Sequence, residues 1–179
     1  MTVLRRSTLA LLGVLAPLLL AAPAQAGTRV VVDGRDSQAR VDLLRVKVRN
    51  ADDRVIIRLR FDDLVRRADR AAQSVGIYLD TDGSRPGPEI GLGSGLNAGT
   101  DYLLATMRDW ARTDHEVICD YNADLDWVED TATYVIDQAC FGDYTRIRVA
   151  VEASEYDGDL ILSDWLRGIK MFSPWVARG

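Results

Sequence analysis

The chain has little of the chemistry from which most enzymes are built. One histidine, His115, stands among 179 residues, which excludes multi-histidine metal centres. Set between Asp114 and Glu116, it reads as a surface residue rather than a base or a haem ligand. Cys119 and Cys140 are the whole cysteine complement. An even pair in an exported chain reads as one disulfide, which leaves no thiol nucleophile and no thiolate metal site. Lysine is almost absent: Lys47 and Lys170 are the two, and every other cation is arginine. That bias, with abundant Ala, Asp, Val and Gly, points to a high-GC genome rather than to a function. Past residue 26 no segment is apolar enough to span a bilayer, and there is no internal repeat, low-complexity tract or interdomain linker.

What is present begins with a leader. Arg5 and Arg6 precede an apolar run from Leu9 to about Ala22, and Ala24-Gln25-Ala26 has the small-x-small form of a signal-peptidase site. The run is shorter than the roughly 20 residues that cross a membrane and contains Pro17. A signal peptide over 1–26, cleaved near Ala26, is therefore expected, giving a secreted product with no membrane span. Residues 27–179 suit one domain with a single core. Formal charge is −5, from 22 basic and 27 acidic residues, and loss of Arg5 and Arg6 deepens it to −7. Duplex nucleic acid is an unfavourable partner for such a chain.

The strongest local signal is LLRVKVRNADDRVIIRLRFDDL, residues 43–64. Leu44, Val46 and Val48 alternate with Arg45, Lys47 and Arg49; beyond Asp52-Asp53, Val55, Ile57, Leu59 and Phe61 alternate with Ile56, Arg58 and Arg60. This predicts a β-hairpin with an apolar face and a cationic face. A two-residue turn at Asp52-Asp53 sets Asn50 opposite Val55, Val48 opposite Ile57, Val46 opposite Leu59 and Leu44 opposite Phe61. A one-residue slip would place arginines in the core. The same register opposes Lys47 to Arg58 and Arg45 to Arg60, which is unfavourable by about 0.2–1 kcal/mol per pair. Two sources of compensation are open: carboxylates on a neighbouring strand or loop, or an anionic partner on the face formed by Arg45, Lys47, Arg58 and Arg60.

Short strands at close spacing follow, over 74–80, 90–96 (glycine-punctuated, expected at a twisted or edge position), 101–107, 116–121, 125–127, 131–136 and 145–152. Residues 62–72 suggest one or two helical turns. The C-terminal region is expected as a loop in which Trp165 and Trp175 seal one end. With no strand–helix alternation, the fold class is all-β: an antiparallel, jelly-roll-like β-sandwich with one short helical segment.

Three groups of residues could bear a ligand. Asp80, Asp82 and Glu89, in DTDGSRPGPE, could offer hard oxygens to calcium, or could cap their own Asp-Gly and Pro-Gly turns. In DYNADLD, Asp120, Asn122, Asp124 and Asp126 share one face if extended, giving a solvated acidic strand. Trp110, Trp127, Trp165 and Trp175, with Tyr78, Tyr102, Tyr121 and Tyr134, could stack on sugar rings where exposed, or serve as core and edge packing. No residue stands out as catalytic, and an enzyme of this composition would work through carboxylates alone, as glycosidases do.

The motifs DGRD, VDLLRVKVRN, RVIIRLRFDDL, IYLDTD, PGPE, CDYNADLDW, ACFG, RIRVAVE and SPWVARG resemble those of a group of uncharacterised exported proteins of high-GC Gram-positive bacteria. The opening half is more loosely similar to family 9 carbohydrate-binding modules and the DOMON superfamily. That resemblance implies a β-sandwich that binds sugars or haem. For haem, Met107 and Met171 stand at no matching spacing from His115. The expectation is a non-enzymatic secreted binding module for a glycan or cell-envelope polymer. A structural or protein-interaction domain without a small ligand is the alternative, and a carboxylate-based hydrolase a distant third.

Overall fold

The alternation in the opening half builds a five-stranded antiparallel sheet from β1 (Gly27–Val32), β2 (Leu43–Asn50), β3 (Arg54–Phe61), β8 (Tyr121–Asp126) and β9 (Thr131–Asp137), in the order β1-β2-β3-β9-β8. These elements come from a computed structural model that describes residues 27–69 and 71–179; the expected leader lies outside the described residues. A second sheet holds β4 (Ala72–Asp80), β5 (Ile90–Gly95), β6 (Tyr102–Arg108), β7 (Ala111–Glu116), β10 (Arg146–Asp157) and β11 (Leu160–Trp165). Its order is β11-β10-β4-β5-β6-β7, with the two-residue β12 (Val176–Ala177) paired to β10. The sheets pack face to face in one core. Val46, Val48, Val55, Ile57, Leu59 and Phe61 from the first meet Val75, Ile77, Leu79, Leu92, Leu104, Val149 and Val151 from the second.

The hairpin takes the expected register from Asn50↔Val55 through Arg45↔Arg60. At its far end the pairing shifts: a bulge puts Leu43, not Leu44, opposite Phe61 and leaves Leu44 half-buried. An extra residue in one strand alone moves the next side chain across the sheet.

Other expectations need correction. The described residues of 62–72 form no helix. Their backbone groups are taken by distant partners: Leu64 N donates to Asp130 Oδ1, Val65 N to Gln73 Oε1, and Asn97 Nδ2 to the carbonyls of Val65 and Ala71. Among the described residues the one helical turn is a 3-10 turn at Gln138–Phe141, with Ala139 N donating to the Asp137 side chain. The strand expected over 116–121 is two strand ends with a crossover between them, and β7 lies before it. LILSDW is an edge strand rather than a loop, and the glycine-punctuated β5 is interior, between β4 and β6.

Cys119 and Cys140 are bonded, with Cα atoms 5.5 Å apart. The bond fastens the crossover from β7 to β8 onto the 3-10 turn after β9. No helix among the described residues is long and apolar enough to cross a membrane.

Candidate functional site

The interior placement of β5 creates the best-formed site. Residues paired across a sheet share a face, and the register aligns Trp165, Glu152, Gly76 and Gly93 on the outer face of the larger sheet. Gly76 and Gly93 stand opposite each other and contribute no side chain; a Cβ at Gly93 would meet no atom within 4 Å. One step along, Gly91 faces Tyr78, and Met107 lies over it so closely that a Cβ there would sit 2.6 Å from the Met107 sulfur. The result is a trough of about 190 Å³ floored by glycine and bordered by Tyr78, Met107, Trp110 and Arg112. That is below the roughly 300–1,000 Å³ of a drug-sized pocket, so it suits one small ring or an extended chain lying along it.

The trough's aromatic wall is continuous. Tyr78 and Trp165 are parallel within 7°, with centroids 5.5 Å apart. Trp110 tilts against both, 5.3 Å from Tyr78 and 6.1 Å from Trp165, and packs 5.0 Å from Phe172. Trp175 extends the array through Arg148, whose guanidinium lies 4.5 Å from both the Phe172 and Trp175 rings. Trp127 is elsewhere: its indole N–H donates to the Leu96 carbonyl, and Arg66 covers its ring. The structure thus brings together Trp110, Trp165 and Trp175, on the face of the larger sheet rather than at an end of the sandwich.

Polar groups rim the trough. Arg112 borders it, Lys170 Nζ stands 5.6 Å from the Trp110 centroid, and the Tyr78 hydroxyl donates to Glu152 Oε2 at 3.1 Å. Burial, reinforced by the Glu152 charge, pushes the Tyr78 phenol up to about 12. It therefore stays protonated and serves as a fixed donor. Trp110 itself occupies the two-residue turn between β6 and β7, where Asp109 and Trp110 both have positive φ, 50° and 67°. Both central residues of a type I′ turn need that geometry, usually met by Asn-Gly.

Comparison with family models, curated proteins and solved structures returns no match.

The expected calcium ligands do not converge. Asp80 is fully buried and accepts from Arg148 Nε at 2.7 Å and from Asp82 N; Asp82 caps Ser84; Glu89 accepts from Thr81 N. These are the turn-capping roles. A different set of carboxylates does converge: Asp36, Asp42 and Asp164 place ligand oxygens within 4.8 Å of one another, with Asp42 and Asp164 buried. They could hold a hard cation. Sequence reading passed over them because Asp36 and Asp42 sit in a polar link and Asp164 is more than a hundred residues away.

Arg45, Lys47, Arg58 and Arg60 line one depression of about 350 Å³ with Leu59 and Thr131. Arg60 donates to the Glu129 carbonyl, and none of the four takes part in an ion pair among the described residues. Asn122, Asp124 and Asp126 do share the exposed face of β8. The trough had one legible signal, the alternate glycines of β5. Its position above Trp110 depended on a turn that Asp109-Trp110 does not advertise.

Proposed function

We propose that the chain is a non-enzymatic, exported binding module that holds a neutral glycan in the trough between Trp110 and the Gly76–Gly93 floor. The observation that carries this reading is Trp110 itself, a bulky aromatic held at positive φ beside a floor without side chains. A bulky residue in that backbone region is a genuine outlier, and such strain gathers at binding sites, where the surrounding structure sustains it. A pyranose ring presents an apolar C–H face that lies well on indole, while its hydroxyls reach the rim, where Arg112 and Glu152 stand ready. Convergent polar groups around an apolar, aromatic surface are the usual make-up of small-ligand sites. Glycoside hydrolysis needs two carboxylates flanking one bond; Glu152 stands at the rim, tied to the Tyr78 hydroxyl, and no residue lining the trough supplies a second, which favours binding over cleavage.

Affinity electrophoresis through soluble neutral polysaccharides, with a glycan array to identify the sugar, tests the reading. At least one neutral glycan should retard the protein, and Trp110→Ala should weaken that interaction tenfold or more while the protein remains folded. No retardation by any neutral glycan, or equal retardation of Trp110→Ala, would refute it.

A further inference from the structure

The outer face of the smaller sheet carries charge that the protein does not neutralise. Two rungs of cations cross β2 and β3: Arg45 with Arg60, and Lys47 with Arg58. Opposed residues stand about 4.5–5.5 Å apart and successive rungs about 6.7 Å apart. The side chains of Arg45, Lys47 and Arg58 make no hydrogen bond or ion pair among the described residues, although the chain as a whole is acidic. The same rungs continue to Thr131 and Thr133 on β9 and end at Asp126 and Asp124 on β8. Those carboxylates lie two strands from β3, about 9–10 Å away along the sheet, and form no ion pair with the four cations among the described residues. The face is a cationic strip two strands wide with an acidic rail along one side.

We propose that this strip binds a linear polymer bearing phosphodiester charges, laid along β2 and β3. The width selects a single extended chain over a membrane, since a flat anionic surface would press Asp124 and Asp126 against like charge. The rungs suit such a chain. Each has a cation on either side, and the two non-bridging oxygens of a chain phosphodiester diverge to face one each in charge-assisted hydrogen bonds. The site is on the opposite sheet from the glycan trough and does not depend on it.

Fluorescence anisotropy with a labelled synthetic glycerol-phosphate decamer reads the interaction directly. The wild-type chain should bind with a slope of about −1.4 in log K against log salt if two phosphodiesters are engaged, one per rung. Arg45→Gln/Arg60→Gln should weaken binding at least tenfold, and Arg67→Gln/Arg85→Gln, an equal charge change elsewhere, less than twofold. Asp124→Asn/Asp126→Asn should tighten it. All three pairs replace exposed side chains, and thermal melting confirms that each remains folded. Absence of binding, equal weakening by both arginine pairs, or tighter binding to polygalacturonate or to phosphatidylglycerol vesicles would overturn the proposal. Because Arg45→Gln/Arg60→Gln leaves the trough intact, its retardation by a neutral glycan separates failure here from failure of the glycan reading.

Discussion

Trp110 shows what a single residue can hold against local preference. At φ 67° its Cβ crowds the following carbonyl, which for a non-glycine residue costs about 1–2 kcal/mol. The ring recovers that through Tyr78, Trp165 and Phe172. Two truncations separate the terms. Trp110→Ala loses the packing and keeps the backbone strain, whereas Trp110→Gly loses the packing and releases the strain. The glycine variant should therefore be the more stable of the two by about 1 kcal/mol in urea unfolding, although it removes more surface. An alanine variant at least as stable as the glycine one would show that the turn is not strained. Asn97 represents the opposite case, a buried residue whose side chain replaces a missing helix. Its Oδ1 accepts from Gln73 N while its Nδ2 serves two carbonyls.

At the scale of the element, the β2–β3 hairpin is stable in spite of its outer face. Opposed like charges cost about 0.2–1 kcal/mol per pair, so Arg45→Gln/Arg60→Gln should raise the midpoint of denaturant unfolding even as it weakens the proposed polyanion binding. A lowered midpoint would mean that the two arginines support the fold. The disulfide acts on another element, the crossover between sheets. It closes a loop of 21 residues, worth about 3 kcal/mol in the chain-entropy account. Cys119→Ser/Cys140→Ser should lose about that much, a difference that disappears if both proteins are measured in reductant. The hairpin and the cysteine pairing were legible in the chain because both are encoded locally, by a two-residue period and by an even cysteine count. The loop over 62–69 was not, since its sequence favours helix and the groups that overrule it, Asp130, Gln73 and Asn97, come from three other segments. The aromatic wall was half legible: four tryptophans could be named, but their grouping depends on which strands are neighbours, and β11 was not recognised as a strand.

For the molecule as a whole, the two outer faces are chemically unlike, aromatic on one sheet and cationic on the other, and the core between them is closed at one edge by a charged contact. Asp164, on β11 of the larger sheet, accepts a hydrogen bond of 2.6 Å from Leu43 N, at the bulged start of β2 in the smaller sheet. Burial pushes its carboxyl up to about 6; the bond from Leu43 opposes this, and the charges of Asp42, Asp36 and Asp33 reinforce it. In the unfolded chain an aspartate titrates near ~3.9. Between about pH 4 and pH 6 the native state therefore binds more protons than the unfolded state, so stability falls as pH rises through that window and the loss is complete above it. Allowing for solvent screening at the sheet edge, the difference is about 1 kcal/mol, or roughly 2–4 °C in melting temperature for a domain of this size. Asp164→Asn keeps an oxygen for Leu43 N and removes the charge. It should melt above the wild-type chain at pH 7.5, and the gap should close as the wild-type carboxyl protonates toward pH 4.5. Exposed carboxylates such as Asp53 and Asp82, held low by Arg54 and Ser84 respectively, titrate identically in both proteins and cancel in the comparison. A gap that stays constant from pH 4.5 to pH 7.5 would mean that the two sheets are not joined through an uncompensated buried charge.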